Sequence, residues 1–311
     1  MMALLGPGLV LVFCLSQALR DIYFGHVFQD VDFFAVILLA FLLSTLIFTA
    51  ATLIRTPDEF GKLRGQLSTV VAMNLTTAVG WSCYFFGLTH LDPSIVNTLH
   101  SGMGPLTVVV LAASGVRLAK TSSPGSGEYL GYAGMALSLA GLWWVVLSEN
   151  SGFATASPAT SLLSLALLLV GGAAITISLL YSKRLHDHGV NPEAVTAVRY
   201  VALILLAGCM VSFSGRTQGF GTLDELGTLS VIATVLIVLP LFALQVGVAR
   251  TAPLTAHVLR ALGPVFVFAL EQADGRMSYS APTLICILAY SACAIASSIT
   301  HGLSEKPAAT A

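Results

Sequence analysis

The feature that most constrains this chain is a series of about ten apolar runs, each close to the roughly 20 residues that a helix needs to cross a bilayer core. The runs are continuous and do not alternate with polar residues. Helices are therefore predicted in preference to barrel strands, because every backbone group must be paired internally in lipid. The predicted spans are residues 3–19, 33–54, 66–90, 93–116, 129–148, 161–182, 193–213, 228–249, 252–272 and 279–301.

Composition supports a membrane location. Hydrophobic residues make up 56% of the 311 residues and charged residues 9%, with a mean hydropathy of +0.88. A soluble domain has about 25% charged residues, so this chain has too few to cover a water-exposed surface. The net charge of −1 and the lack of a basic run argue against a nucleic-acid partner. We expect an all-α, multi-pass membrane protein with a lipid bilayer as its surroundings.

The distribution of lysine and arginine predicts the orientation. Cytoplasmic loops are enriched in these residues, and the assignment with both termini cytoplasmic places nine of them inside and three outside. The nine are Arg55, Lys62, Arg64, Arg117, Lys120, Lys183, Arg184, Arg250 and Lys306, and the three are Arg20, Arg216 and Arg276. Arg20 follows the run from Leu4 to Leu19, which is read as the first span because no positive charge precedes it as in a signal peptide.

An internal repeat is predicted from motifs that recur in the two halves of the chain. In the first half, His90–Pro93 is followed by Gly104-Pro105, and in the second half Arg250–Pro253 is followed by Gly263-Pro264. Val31–Val36 likewise matches Val190–Val195. The predicted repeats are residues 1–155 and 156–311. Each holds five spans, so the second would enter the membrane inverted, as in many transporters. Chance recurrence of Gly-Pro pairs in glycine-rich helices is the alternative.

Several segments carry a resemblance to a known family. They are Tyr84–Pro93, Gly104-Pro105, Gly134 with Gly141, Val246–Pro253, Gly263-Pro264 and Asn191–Tyr200. The chain resembles the EamA branch of the drug/metabolite transporter superfamily over essentially its whole length. The resemblance implies a secondary active transporter in the bacterial inner membrane that moves a small metabolite, such as an amino acid or organic anion, with export favoured. It also implies a central cavity lined by spans three, four, eight and nine, no cofactor, and a homodimer face on spans five and ten.

The sequence also departs from that family. Its members commonly have a Leu-Gly-Glu-Arg-like segment after spans four and nine, where this chain has Ser114–Arg117 and Asp274–Arg276, both without glutamate. The lysine patterns of the nucleotide-sugar and triose-phosphate branches are not seen either, which argues against those substrates.

Arg260 is the most informative polar residue of the predicted spans. An arginine at the centre of a span costs at least about 2.5–3.5 kcal/mol on insertion scales, so it faces a partner or a cavity. His257, Arg260 and Glu271 share one helical stripe of span nine, and the repeat places Asn97 and His100 at equivalent positions of span four. We expect Arg260 to bind the carboxylate of a substrate, with a structural ion pair as the alternative.

The remaining candidates lie on spans three, eight and nine. Asn74, Trp81 and Tyr84 share a face of span three that suits an amphipathic ligand, although a tryptophan at helical spacing more often serves packing. Gln245 on span eight is expected in the same cavity, with hydrogen bonding between helices as the alternative. Glu271 is the candidate for carrying a coupling proton, with His100 and His257 as alternatives.

Other polar residues receive structural interpretations. Arg199 is expected to extend its side chain to the cytoplasmic interface. His186 and His188 are expected to be solvated, and no metal site is predicted. An enzyme or a non-transporting membrane subunit stays the alternative function, but the chain lacks Gly-x-Ser-x-Gly, His-Glu-x-x-His and phosphate-loop motifs.

Overall fold

A computed structural model describes residues 5–116, 125–152, 157–214, 223–249, 251 and 253–304. Within these residues the fold is entirely helical, without strands. The helices are α1 (Leu5–Val27), α2 (Phe33–Arg55), α3 (Glu59–Gly65), α4 (Leu67–His90), α5 (Pro93–Ala113), α6 (Ser126–Leu147), α7 (Pro158–Asp187), α8 (Pro192–Arg199), α9 (Val201–Ser214), α10 (Leu223–Ala249), α11 (Pro253–Ala261), α12 (Gly263–Asp274) and α13 (Ala281–Ser304).

The helices have the length and composition of a multi-pass membrane protein. In the described part of the chain, seven segments are long and apolar enough to cross a membrane. Each of the ten predicted spans overlaps at least one helix, and the ninth is divided between α11 and α12. The membrane-type helical fold is therefore confirmed, whereas the number of crossings stays a prediction.

The predicted first span was wrong at its end. Residues 3–19 were expected, but α1 continues to Val27 and contains Arg20, which is 4% exposed. Arg20 therefore does not belong to an external loop. The helix continues through this charge because Asp21 pairs with it inside the bundle. Of the two other arginines predicted to be external, Arg276 is described and Arg216 lies outside the described residues. Arg117, Lys120, Arg250 and Lys306, which are predicted to be cytoplasmic, also lie outside them.

Two of the predicted spans are broken. Tyr200 separates α8 from α9, and Leu262 separates α11 from α12. The second break precedes Gly263-Pro264, where proline has no N–H to donate to the preceding turn. A broken helix leaves backbone groups that must find other partners, and in membrane proteins such breaks commonly line a cavity or a site.

The most extensive packing joins helices from different halves of the chain. α4 packs on α7, α6 on α13, α1 on α10, and α2 on α8 and α9. Small residues allow the close approaches: a Cβ atom at Gly131 of α6 would lie 2.7 Å from the Cβ atom of Ser297 on α13. A Cβ atom at Gly80 of α4 would lie 3.0 Å from that of Ile175 on α7.

The connections between helices meet at two opposite ends of the bundle. At one, Gly152 donates its N–H to Asp92 (3.1 Å) and accepts from the N–H of Ser278 (3.3 Å). At the other, Glu59 accepts from the N–H of Asn191 (2.8 Å), and Lys62 donates to the carbonyl of Gly189 (2.8 Å). We call these the Asp92 end and the Glu59 end.

Candidate functional site

A buried ion pair lies inside the bundle on α1. The guanidinium of Arg20 donates from Nε (2.8 Å) and Nη2 (2.6 Å) to Oδ1 of Asp21. Asp21 is fully buried. Breaking such a pair by removing one partner leaves an uncompensated buried charge, so the two residues depend on each other.

Side chains from α4 and α5 complete the surroundings of this pair. Nη2 of Arg20 also donates to the hydroxyl of Tyr84 (2.9 Å), and Nδ2 of Asn97 donates to Oδ2 of Asp21 (2.8 Å). The guanidinium carbon lies 5.4 Å from the ring centre of Trp81 and 5.0 Å from that of Tyr84, within the range of cation–π attraction. We call these five residues the Arg20 network.

His100 extends the Arg20 network by one turn of α5. Its ring centre lies 4.6 Å from that of Tyr84, edge to face. Its Nε2 atom is buried and has no hydrogen-bond partner in the described residues. A buried polar atom without a partner is uncommon in a native protein, and it marks a position where a ligand or water would be stabilised.

The structure thus brings four predicted site residues together, but around an unpredicted centre. Trp81, Tyr84, Asn97 and His100 are adjacent, as their helical spacing indicates. Arg20 was missed because the apolar run was ended at the first charge. The sequence does carry a signal that the helix continues: Arg20 is followed by the opposite charge of Asp21 and then by further apolar residues. Adjacent opposite charges can pair within a continuing helix.

Asn74, a fifth predicted residue, lies apart from this group and braces the break between α8 and α9. Its Nδ2 atom donates to the carbonyl of Val198 (2.7 Å), and its Oδ1 atom accepts from the N–H of Ala202 (3.1 Å). Its polar atoms are therefore used by backbone groups on either side of Tyr200. In this conformation Asn74 acts structurally.

Arg260 occupies the last turn of α11 and is exposed. It lies within electrostatic range of Cys14 on α1 and Tyr290 on α13, both of which are buried. Among the described residues it has no ion pair with a carboxylate. Because Cys14 and Tyr290 belong to helices that pack on α11, Arg260 lies at the junction of three helices.

Glu271 does not share the environment of Arg260, although both lie on the predicted ninth span. Glu271 is 3% exposed and its Oε2 atom accepts from the N–H of Ser94 at the start of α5 (3.0 Å). The break at Leu262 interrupts the predicted stripe between them. The side chains of Gln245 on α10 and His257 on α11 lie outside the described part of the structure.

Arg199 was expected to reach the membrane interface, and this expectation was wrong. Its guanidinium points between helices, where Nη2 donates to the hydroxyl of Ser178 (3.2 Å) and Nε to that of Thr77 (3.4 Å). A cavity of about 20 Å³ adjoins it, lined also by the buried Ser44. The two hydroxyl groups explain the difference, because they give the guanidinium polar partners closer than the interface.

Comparison with known proteins identifies the fold alone. No protein-family model matches the chain, and no curated protein matches it. One solved crystal structure is similar over 98% of this chain and 99% of its own, with a TM-score of 0.63 and 18% sequence identity. The likeness over nearly the full length of both chains shows that this helical arrangement exists in another protein.

Proposed function

We propose that this protein is a secondary active transporter of a small metabolite carrying an anionic group, such as an amino acid or organic anion, and that it belongs to the EamA branch of the drug/metabolite transporter superfamily. The observation that carries the proposal is the exposed Arg260, which lies beside a helix break and is not paired with a carboxylate of the described residues. A cation in a membrane span needs compensation. In the proposed transporter a substrate carboxylate supplies it.

The local backbone favours an anion as well. α12 begins at Gly263, three residues after Arg260, and the N-terminus of a helix carries a partial positive charge. Transporters use the N-termini of such broken helices to hold the anionic groups of their substrates. The guanidinium adds a planar fork of donors that matches a carboxylate.

The pairing of helices supports inverted repeats over residues 1–155 and 156–311. If the five spans of each repeat are numbered in order, span one of the first packs on span three of the second, and span three of the first on span one of the second. Spans two, four and five each pack on their own counterparts. Such reciprocal contacts are expected of a pseudo-twofold axis, around which alternating access takes place.

The charges at the two ends support an orientation in a bacterial inner membrane with both termini cytoplasmic. The Glu59 end carries Arg55, Lys62, Arg64, Lys183 and Arg184. The described residues of the Asp92 end carry the single arginine Arg276. The excess of positive charge therefore supports a cytoplasmic location of the Glu59 end.

The proposed binding residues are Trp81, Tyr84, Asn97, His100, Gln245, His257 and Arg260, and Glu271 is the proposed carrier of a coupling proton. Asn74, which was also a candidate, is left out because its polar atoms are bonded to the backbone of Val198 and Ala202. Because Asn97 and Tyr84 bond to the buried ion pair in this conformation, a substrate that enters would exchange partners with that pair.

A ligand screen tests the proposal. A ligand that binds only the folded protein raises its thermal stability by mass action. Purified protein is heated in the presence of amino acids, organic anions, nucleobases and amine drugs. We expect an anionic ligand to stabilise the wild type and to lose this effect in Arg260→Lys, while Arg276→Lys, at an exposed pair with Asp274, keeps it. Stabilisation by cationic amines alone would reject the proposal.

A further inference from the structure

Two buried carboxyl groups, one just before α5 and one on α12, meet at the start of α5. Asp92 immediately precedes α5 and is 1% exposed, and Glu271 on α12 is 3% exposed. Each accepts one backbone N–H, from Gly152 (3.1 Å) and Ser94 (3.0 Å) respectively. The two acids therefore hold the connection 148–152 and helix α12 against the same helix start.

The site contains a carboxyl oxygen that these contacts leave unsatisfied. Oδ1 of Asp92 is buried without a hydrogen-bond partner in the described residues. An ionised carboxylate needs partners for both oxygens, because burial of an unpartnered charge is costly. A protonated Asp92 removes this charge and provides an O–H that can donate to a neighbouring acceptor.

The surrounding charges do not neutralise the two acids. A cavity of about 450 Å³ adjoins Glu271, Pro93 and Gly152 at the Asp92 end. The titratable or charged side chains on the surrounding elements are His26, His90, Glu149, Asp274 and Arg276. Arg276 is bound by Asp274 through two hydrogen bonds of 2.5 and 2.7 Å, and the nearest cation on α1, Arg20, is bound by Asp21. The described residues thus give Asp92 and Glu271 no ion pair.

We propose that Asp92 and Glu271 form a proton-binding site that holds one proton at neutral pH, and that this proton keeps the Asp92 end of the bundle closed. Two like charges that share a buried site cannot both ionise readily. Burial, and secondly the neighbouring Glu271, raise the pKa of Asp92 to about 8. The adjoining cavity gives the proton a route to and from the Asp92 end.

Loss of the proton would open this end. It leaves two negative charges in one buried site, whose repulsion weakens the docking of Gly152 and of α12 on the start of α5. α12 begins beside Arg260 and carries Glu271 in its last turns. A movement of α12 therefore links the proton site to the proposed anion site, and this coupling role rests on the proposed transport function.

Infrared spectroscopy of the purified protein tests the proton site without any substrate. The carbonyl stretch of a protonated carboxylic acid is recorded as the pH is raised from 5 to 10. We expect a signal in the wild type that titrates near pH 8. In Asp92→Asn the signal should be weaker and titrate differently, because only Glu271 is left to hold the proton. In Glu271→Gln the signal should titrate at a lower pH, because the repelling charge is gone. Glu149→Gln, at an exposed position of the connection 148–152, is the matched control and should resemble the wild type.

Three outcomes would overturn the proposal. One is a wild-type spectrum without a protonated carboxyl group at pH 6, and another is an Asp92→Asn spectrum identical to that of the wild type. The third is thermal stabilisation by Na⁺ over choline at constant pH that Asp92→Asn abolishes, which would assign the site to a metal cation. The infrared measurement uses no substrate. If the carboxyl group titrates as expected but no anionic ligand stabilises the protein, the transport proposal is rejected and the proton site is retained.

Discussion

Arg20 and Asp21 are neighbours in the sequence and also partners in the structure, joined by two hydrogen bonds from the guanidinium to a single carboxylate oxygen. Adjacent helix positions point in different directions, so the long arginine side chain has to turn toward its neighbour. This leaves the second oxygen of Asp21 free to accept from Asn97 on α5. One ion pair on α1 thereby fixes the positions of α4 and α5.

The first prediction concerns this pair. Arg20→Ala should lower the free energy of unfolding by about 3–5 kcal/mol, because it leaves the carboxylate of Asp21 buried and unpaired. Thermal or denaturant unfolding in detergent measures the change. Arg276→Ala, which breaks an exposed pair, is the control and should change it by about 0–1 kcal/mol. The double variant Arg20→Met with Asp21→Leu should recover most of the loss. If Arg20→Ala and the control lowered the free energy of unfolding equally, the buried pair would not contribute to stability as proposed.

The second prediction concerns the brace between α8 and α9. Asn74→Ala removes partners from the carbonyl of Val198 and the N–H of Ala202, and each unsatisfied buried group costs about 1–3 kcal/mol. The protein should unfold at a lower temperature, and hydrogen exchange at the N–H of Ala202 should become faster. Asn150→Ala at an exposed connection should do neither. Unchanged exchange at Ala202 would show that another group replaces the asparagine.

The third prediction concerns pH at the Glu59 end. The hydrogen bond from Lys62 lowers the pKa of Glu59 from its usual 4.5, and the N–H of Asn191 also contributes to this lowering. A lowered pKa in the folded state means that the carboxylate adds stability in full above pH 4.5 and loses it as the pH falls further. The difference in unfolding temperature between wild type and Glu59→Gln should therefore be constant from pH 8 to pH 6 and shrink toward pH 4.

The control for this measurement is Glu193→Gln. Glu193 forms another ion pair at the Glu59 end, but the side chain of its partner Arg55 is 70% exposed. Its effect should be small across the whole pH range, since exposed pairs contribute little. If the difference in unfolding temperature between wild type and Glu59→Gln grew as the pH falls, the pKa of Glu59 in the folded protein would be raised and not lowered.

The fourth prediction concerns topology. Reporter fusions after Ser151 and Gly219 should be external, and fusions after Gly61 and Ala311 should be cytoplasmic. The meeting of Gly152 with Asp92 and Ser278 at one end of the bundle favours this alternation. An external fusion at Ala311 would contradict both the number of spans and the inverted repeats.

Much of the fold could be predicted from the sequence because lipid allows few alternatives. Apolar runs of span length locate the helices within a few residues, and helical spacing correctly places Trp81 and Tyr84 on one face. The end of α1 could not be located in the same way. A charge ends a span unless something pairs with it, and whether Asp21 does so depends on the surroundings supplied by other helices.

The site was harder to predict for the same reason. The sequence indicates Asp92 only as part of the recurring motif His90–Pro93. Its burial beside Glu271 depends on α12, which is distant in the sequence. The break at Tyr200 has no proline or glycine at its centre to indicate it. It is maintained by Asn74 from another helix, so only the assembled bundle reveals it.

The preference of helices for partners in the opposite half has a consequence for biosynthesis. When the ribosome has completed the first five spans, α4, α6 and α1 have not yet met α7, α13 and α10, their principal neighbours. The early chain therefore resides in the bilayer with its glycine faces, such as that of Gly131, turned toward lipid or an insertase. Because α13 lies far beyond α6 in the sequence, α6 cannot acquire this neighbour until α13 has been synthesised, and termination before α7 would leave the first helices without their principal contacts.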